Sequence, residues 1–269
     1  SNCVIDFDNS FALPPLVSIF YDLIPLLNSD LYLKTNPHFR EFYLNRIKSI
    51  NTLDGLLCIS KSAALEAKDY LEIECKSIYE ISSACDNQIF NTSEKLLSNS
   101  RIDFDYLSEF ILYTGAGDPR KNIKSLIEAY SLLPSSLIVK HKLVLAGNFI
   151  SAEINNINLW LQDFNLPAEY VILLGFVSQD ELVKLYQNCF LFILPSCHEG
   201  FGLPILEAMC CGAPVISSNI TSMPEVVGNP DYLFNPYDVK SIFKLINRSL
   251  TDPEFIKANK LNSARQSNS

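Results

Sequence analysis

Glu199 and Glu207 are the residues with which this sequence can do the most chemistry. They flank Gly200-Phe-Gly-Leu-Pro-Ile-Leu206, which reads as a tight glycine turn passing into a short helix, with Pro204 in its first turn and Gly212 just past its end. Glu199 then falls in the turn after a strand, where open α/β sheets bind ligands, and Glu207 about a turn inside the helix. Carboxylates so placed can grip hydroxyls at two points of one sugar-like ligand, while Gly200 and Gly202 let backbone amides approach it. A second cluster, Gly115-Ala-Gly-Asp-Pro-Arg-Lys-Asn122, is a glycine loop between a strand and a helix start. Its Arg120 suits a bidentate phosphate contact and its Lys121 a point charge, which together at a helix N-terminus fit a diphosphate. Gly115 and Gly117 superficially match a dinucleotide fingerprint. Arg120 occupies its third glycine position, however, and the strand ending Val144-Leu-Ala-Gly-Asn148 supplies no carboxylate for a ribose, so the nicotinamide reading fails. Plainer readings stand beside these: solvated surface glutamates, and solvated charges on a helix end.

The stretch from Pro195 to Ser217 resembles the donor-site motif of GT-B glycosyltransferases of family 4, in which seven residues separate two glutamates, as they separate Glu199 from Glu207. Gly200-Phe-Gly-Leu-Pro204, Glu207-Ala-Met209 and Gly212-Ala-Pro-Val215 match around them, and the pattern is similar to bacterial mannosyltransferase-like polysaccharide enzymes. The resemblance implies that Glu199 contacts the donor sugar near the reacting centre and Glu207 holds the ribose. The turn amides of Phe201, Gly202 and Leu203 would assist at the sugar and phosphates. In the glycine loop Lys121 matches the family lysine, whereas the family arginine five residues earlier is Ala116 here, so that Arg120 would take over its role. Ser217–Gly228 and Asn235-Pro-Tyr-Asp238 also look like the family, the former near the nucleotide. Phe20-Tyr-Asp-Leu-Ile-Pro-Leu26 resembles the His-Asp-Leu-x-Pro stretch that lines the acceptor-side cleft. Tyr21 stands for the histidine and can donate a hydrogen bond without titrating near neutrality. Asp22 is either a cleft carboxylate or a turn residue and helix cap.

By this resemblance the chain is a retaining glycosyltransferase that moves a sugar from a nucleotide-diphosphate-sugar donor to a sugar, lipid-linked or other hydroxyl acceptor, in polysaccharide or glycoconjugate synthesis. No cofactor and no metal are expected. The alternative, from another class, is a catalytically weak or inactive nucleotide-sugar-binding module, and an epimerase would need an acid-base set that the sequence does not offer.

The elements that must position these residues follow from alternation. Short β-branched or aromatic runs alternate with longer amphipathic stretches, which predicts βαβ units and an α/β fold of Rossmann-like parallel-sheet domains, of GT-B type by the resemblance. Strands are expected at Val17–Phe20, Gly55–Ile59 and Ser77–Ile81, with helices over Pro37–Ile50 and over Ala63–Leu71, the latter capped by Ser60. A second series places strands at Phe110–Thr114, Lys142–Ala146, Val171–Leu174, Leu191–Leu194 and Val215–Ser217. Its helices are Lys121–Leu133, Ala152–Phe164, Gln179–Gln187, Pro204–Cys211 and Val239–Leu250. The expected domains are 1–85, the latter part of an acceptor-side domain; 86–108, a polar linker; 109–256, the donor-binding domain; and 257–269, a frayed tail. Family members carry two such domains of about 150 residues each, so the N-terminal one is expected to be incomplete.

Composition narrows the class further. The net charge is −9, with 21 Lys and Arg against 30 Asp and Glu, which argues against a nucleic-acid partner. With 48% hydrophobic and 19% charged residues the chain can bury a core. The start carries Asp6 and Asp8 in place of a signal sequence, and no apolar run approaches the roughly 18 residues of a membrane span. The eight cysteines form no C-x-x-C pair and read as core thiols of a reducing compartment, which makes the expected location cytoplasmic, with an acceptor at the inner face of a membrane left open. Asp6-Phe-Asp8 and Asp103-Phe-Asp105 mimic a D-x-D metal signature, but lie at the ragged start and in the linker. His38, His141 and His198 are scattered without ligand spacing.

Overall fold

Aliphatic runs bounded by glycine or polar residues become parallel strands, and the amphipathic stretches between them become crossover helices. The computed structural model describes residues 14–50, 52–71, 77–93 and 102–268; Asp6, Asp8, Cys3 and Cys75 lie outside them. Two units meet in the chain at Ser82 and Ser83. The first runs β1 (Val17–Phe20), α1 (Ile24–Leu27), α2 (Ser29–Tyr32), α3 (Pro37–Ile50), β2 (Gly55–Cys58), α4 (Lys61–Tyr70) and β3 (Ile78–Glu80). Its described strands pair in parallel in the order β1-β2-β3, with Val17 opposite Gly55 and Leu56 opposite Ile78. The expected cap is present, since Ser60 Oγ accepts from the Ala63 amide at 2.9 Å and starts α4.

The second unit begins with α5 (Phe104–Leu107) and β4 (Ile111–Thr114), then a 3₁₀ turn at Pro119–Lys121, α6 (Ile123–Ser131), α7 (Ser135–Lys140), β5 (Leu143–Ala146), α8 (Ser151–Asp163) and β6 (Val171–Gly175). It continues with α9 (Gln179–Asn188), β7 (Leu191–Leu194), α10 (Leu203–Cys210), β8 (Val215–Ser218), α11 (Met223–Val227), β9 (Leu233–Phe234), α12 (Val239–Thr251) and α13 (Pro253–Gln266). Every residue of β4, β5, β7 and β8 is buried, as a parallel sheet covered on both faces requires. Among the described residues the sheet order is β6-β5-β4-β7-β8-β9, all parallel. The chain builds outward from β4 to β6 on one side and then returns to β7 on the other. The loops leaving β4 and β7 therefore lie side by side at the carboxyl ends of the strands, at the point where the strand order reverses. The two sequence clusters with chemistry in them are those two loops.

Residues 257–268 correct the expectation of a frayed tail. They belong mostly to α13, whose buried positions Phe255, Asn259, Asn262 and Ser263 follow helical spacing. Three of those four are polar, so the stretch shows no apolar periodicity. Asn259 pairs with the backbone of Val215 in β8 through both of its amide groups, each at 2.9 Å, and Asn262 Nδ2 donates to the Val227 carbonyl at 2.8 Å. Asn259 is fully buried. Replacing it with alanine would strand both Val215 groups and should lower the unfolding free energy by about 2–3 kcal/mol. A denaturant titration that finds a change of a few tenths would contradict this docking role.

Candidate active site

The loop after β4 is shaped by its own backbone. The Gly115 amide donates to the Ala146 carbonyl at 2.9 Å, and Gly115 then turns at φ +145°, where a side chain would also meet the Tyr113 hydroxyl at 2.7 Å. Tyr113 in turn donates to the Ala116 carbonyl at 3.0 Å and pins the loop. Gly117 is covered by Glu153, whose carboxyl group would clash with any Cβ there. Asp118 Oδ1 accepts from the Arg120 amide at 3.0 Å and sets the 3₁₀ turn. The expected helix over Lys121–Leu133 is corrected here. Asn122 adopts left-handed φ +57°, ψ +36°, which asparagine tolerates, so α6 begins only at Ile123 and both cations sit on the separate turn. Asn122 Nδ2 donates to the carbonyls of Pro195 at 3.2 Å and Pro236 at 2.8 Å, which brings the Asn235–Asp238 turn to the same place.

The loop after β7 is locked onto that turn. The Cys197 amide donates to the Arg120 carbonyl at 2.7 Å. Ser218 Oγ donates to the Ser196 carbonyl at 2.5 Å and Ser222 Oγ to the Glu199 carbonyl at 2.9 Å, while Thr221 Oγ1 accepts from the Glu199 amide at 3.3 Å. With its main chain fixed on both sides, the Glu199 carboxylate reaches both cations. Lys121 Nζ lies 2.6 Å and Ser196 Oγ 2.7 Å from Oε1, and Arg120 Nη1 lies 2.8 Å from Oε2. The same Nη1 donates to the His198 carbonyl at 2.8 Å. The Glu199 side chain is 10% exposed, so the solvated-surface reading does not hold for it. Burial works against its ionisation, but Lys121 and Arg120 outweigh that, and the Glu199 carboxyl is held below the ordinary carboxylate range.

Glu207 occupies a different setting. Gly202, at φ +104°, leads into α10, and Gly212, at φ +82°, closes its end by donating to the Met209 carbonyl at 2.9 Å. Phe201 is buried and Leu203 is 42% exposed. Glu207 Oε2 accepts from the Tyr186 hydroxyl at 3.0 Å. Burial pushes the Glu207 carboxyl up, and the Tyr186 hydrogen bond opposes that in part.

The sequence-predicted residues thus separate into groups. Glu199, Arg120 and Lys121 come together, and Gly115, Gly117, Phe201, Gly202, Leu203 and Glu207 lie on the two loops and on α10. In the first unit Tyr21 is 63% exposed, and Asp22 Oδ1 accepts from the Ile24 amide at 3.0 Å in a turn that leads into α1, which is the turn-residue alternative for that carboxylate. Ser196, Asp118, Asn122, Tyr186, Thr221 and Ser222 were not singled out. For Asp118 and Asn122 the Asp-Pro and left-handed Asn chemistry was a usable signal, whereas Tyr186 reads as an ordinary core position of an amphipathic helix. Among the described residues, Cys85, Cys189, Cys197 and Cys210 are thiols outside any disulfide, and no group of three or more His, Cys, Asp or Glu is arranged to hold a metal.

A six-stranded parallel sheet in the order β6-β5-β4-β7-β8-β9, with a cationic turn and a carboxylate at its switch point, is a Rossmann-like arrangement. Solved structures share the fold. Anabaena HepE in complex with UDP and glucose superposes with a TM-score of 0.74 at 19% identity, over 94% of this chain and 67% of that one. Sucrose-phosphate synthase from Thermosynechococcus elongatus gives 0.70 at 23% identity, over 83% and 55%. The fold is accordingly α/β of the GT-B type. The family model for glycosyl transferases group 1 matches residues 101–267, and the chain belongs to that family. Escherichia coli serotype-specific mannosyltransferase WbdA is 41% identical over 253 residues, which is 93% of this chain but 31% of the relative. Escherichia coli O-antigen chain mannosyltransferase B is 42% identical over 143 residues, 53% of this chain and 37% of the relative. The chain spans about a third of the length of these curated relatives. Among the described residues no helix is long and apolar enough to cross a membrane.

Proposed function

We propose that this chain supplies the donor site of a glycosyltransferase that moves a hexosyl group, mannosyl by the kinship with named mannosyltransferases, from a nucleotide-diphosphate sugar to a hydroxyl acceptor. The observation that carries the proposal is the meeting of Arg120 and Lys121 with Glu199 at the switch point, with Glu207 on the helix that follows. In the reaction the bond from the anomeric carbon to the diphosphate oxygen breaks, the acceptor hydroxyl oxygen takes its place, and the hydroxyl proton leaves with the diphosphate. Negative charge then grows on the departing diphosphate. Arg120 and Lys121 meet that charge, Glu199 orients the donor sugar, and Glu207 holds the ribose. No metal or cofactor is part of the proposal, because these two cations supply the countercharge.

The finer proposals follow from the motif. The chain belongs to family 4 of the glycosyltransferases and transfers with retention. Tyr21 serves the acceptor side, with Asp22 shaping the turn beside it, and the acceptor is a sugar, lipid-linked or other hydroxyl in O-antigen-type polysaccharide synthesis. The location is cytoplasmic. A second reading, binding without transfer, is favoured by Ala116, which stands where the family pattern has an arginine. The two readings part in one experiment. Incubation with GDP-mannose or UDP-glucose, with and without a mannan acceptor, should release nucleoside diphosphate only when acceptor is present. Thermal stabilisation by nucleoside diphosphate without any acceptor-dependent release would favour the binding module.

A further inference from the structure

We propose that Tyr186 is a positioning residue for the donor, acting through Glu207: its hydroxyl fixes one carboxylate oxygen of Glu207 so that the other is presented to the ribose hydroxyls. Tyr186 lies on α9 and is fully buried. Its ring is held edge-on to Phe192 of β7, with centroids 5.4 Å apart, and tilted against Phe90 at 6.2 Å. The hydroxyl sits 3.0 Å from Glu207 Oε2 and 3.1 Å from Thr114 Oγ1. With the phenol donating to the carboxylate, the Thr114 hydroxyl donates to the phenol oxygen, so the buried phenol both donates and accepts. Thr114 is the last residue of β4, immediately before the Gly115 loop that leads to Arg120 and Lys121. One buried phenol therefore links the strand end that launches the diphosphate-facing loop to the helix that carries Glu207.

The chemistry gives Tyr186 a role beyond packing. An ionised carboxylate only accepts hydrogen bonds, whereas ribose hydroxyls donate, so ribose binding needs Glu207 charged. Burial pushes the Glu207 carboxyl up, and the Tyr186 hydrogen bond is what counters it. The titratable groups facing Glu207 are the Tyr186 phenol of α9, the Cys85 thiol from the segment after β3 and the Cys210 thiol of its own helix. Burial raises all three, which leaves them neutral across the acid and neutral range. Donor affinity should consequently rise with pH through the Glu207 titration and be lost as pH falls through it. Loss of the Tyr186 hydroxyl moves that limb to higher pH.

The proposal rests on the reading of Glu207 as the ribose-holding residue, and the test separates the two. Dissociation constants of GDP and UDP, and of their 2′,3′-dideoxy counterparts, are measured for the wild-type chain and Tyr186→Phe across the acid and neutral range. The wild-type chain should prefer the ribonucleotides by about tenfold, the scale of one hydrogen bond to a charged group. Tyr186→Phe should lose most of that preference and shift its acid limb upward, with the dideoxy constants unchanged. A wild-type chain without ribose preference overturns the reading of Glu207 itself. A Tyr186→Phe chain that keeps both the preference and the pH profile overturns the role of Tyr186. Where Tyr186→Phe does not fold, Thr114→Val removes the other partner of the phenol and should shift both readouts in the same direction by a smaller factor; unchanged readouts there also overturn the proposal.

Discussion

Lys121→Ala is expected to lower turnover at least about a hundredfold, since removing one donor from a comparable preorganised electrostatic site costs roughly 3–4 kcal/mol of transition-state stabilisation. The geometry explains the size of the effect. Lys121 sits on a turn fixed by Asp118, Asn122 and the Cys197 amide, and its side chain is only 12% exposed, so its charge is held in place before the diphosphate arrives. No water-exposed lysine nearby could substitute without first paying to be ordered. Lys121→Arg keeps the charge but not the compact ammonium, and should retain part of the activity. The measurement is kcat at saturating donor. Near-normal turnover in Lys121→Ala would remove this residue from the chemistry.

Glu199→Gln should separate binding from transfer. The Glu199 carboxylate bridges both cations, at 2.6 Å from Lys121 and 2.8 Å from Arg120, and offsets one of their two charges, so a diphosphate competes with it. Removing the charge while keeping the shape should tighten nucleoside diphosphate binding by about tenfold, a small part of the Coulomb energy of two such contacts even in a moderately polar setting. Turnover should nevertheless fall by about a hundredfold or more, because the donor sugar loses the carboxylate that orients it. The variant should also be less stable than the wild type until nucleotide is added, as two largely buried cations lose the carboxylate that bridges them. The same ion pairs give the wild type a pH signature. The Glu199 carboxyl is held low in the folded protein, so its contribution to stability is present above the ordinary carboxylate range and is lost as pH falls through the lower native value. Weaker nucleotide binding by Glu199→Gln would show that Glu199 recruits the nucleotide rather than holding its place.

The sequence made the centre of the site readable because its chemistry is local. Glu199 and Glu207 are fixed by a strand, a glycine turn and a helix within one continuous stretch, and Arg120 and Lys121 by a loop of similar kind. That the two loops meet follows from strand order, which alternation suggests but does not specify. Three features depended on partners distant in the chain and were missed or misread. The helix at Asn259 is held by amide-to-backbone pairs with Val215, so it buries polar residues and lacks the apolar rhythm that betrays a helix. The break at Asn122 comes from a left-handed conformation stabilised by Pro195 and Pro236. Tyr186 looks like any aromatic core residue until its hydroxyl is found against a carboxylate from another helix. Asp22 shows the reverse case, where a motif match at Phe20–Leu26 meets a residue whose carboxylate shapes the turn into the next helix.

The most direct test is a calorimetric titration of the wild-type chain, and of the double variant carrying Arg120→Ala and Lys121→Ala, with GDP and UDP at low and high salt. Saturable binding of at least one nucleotide by the wild type, weakened by salt and lost in the double variant, is the predicted result. Binding of equal strength in both proteins, or none in a wild-type chain shown to be folded, would contradict a donor site at Glu199, Arg120 and Lys121.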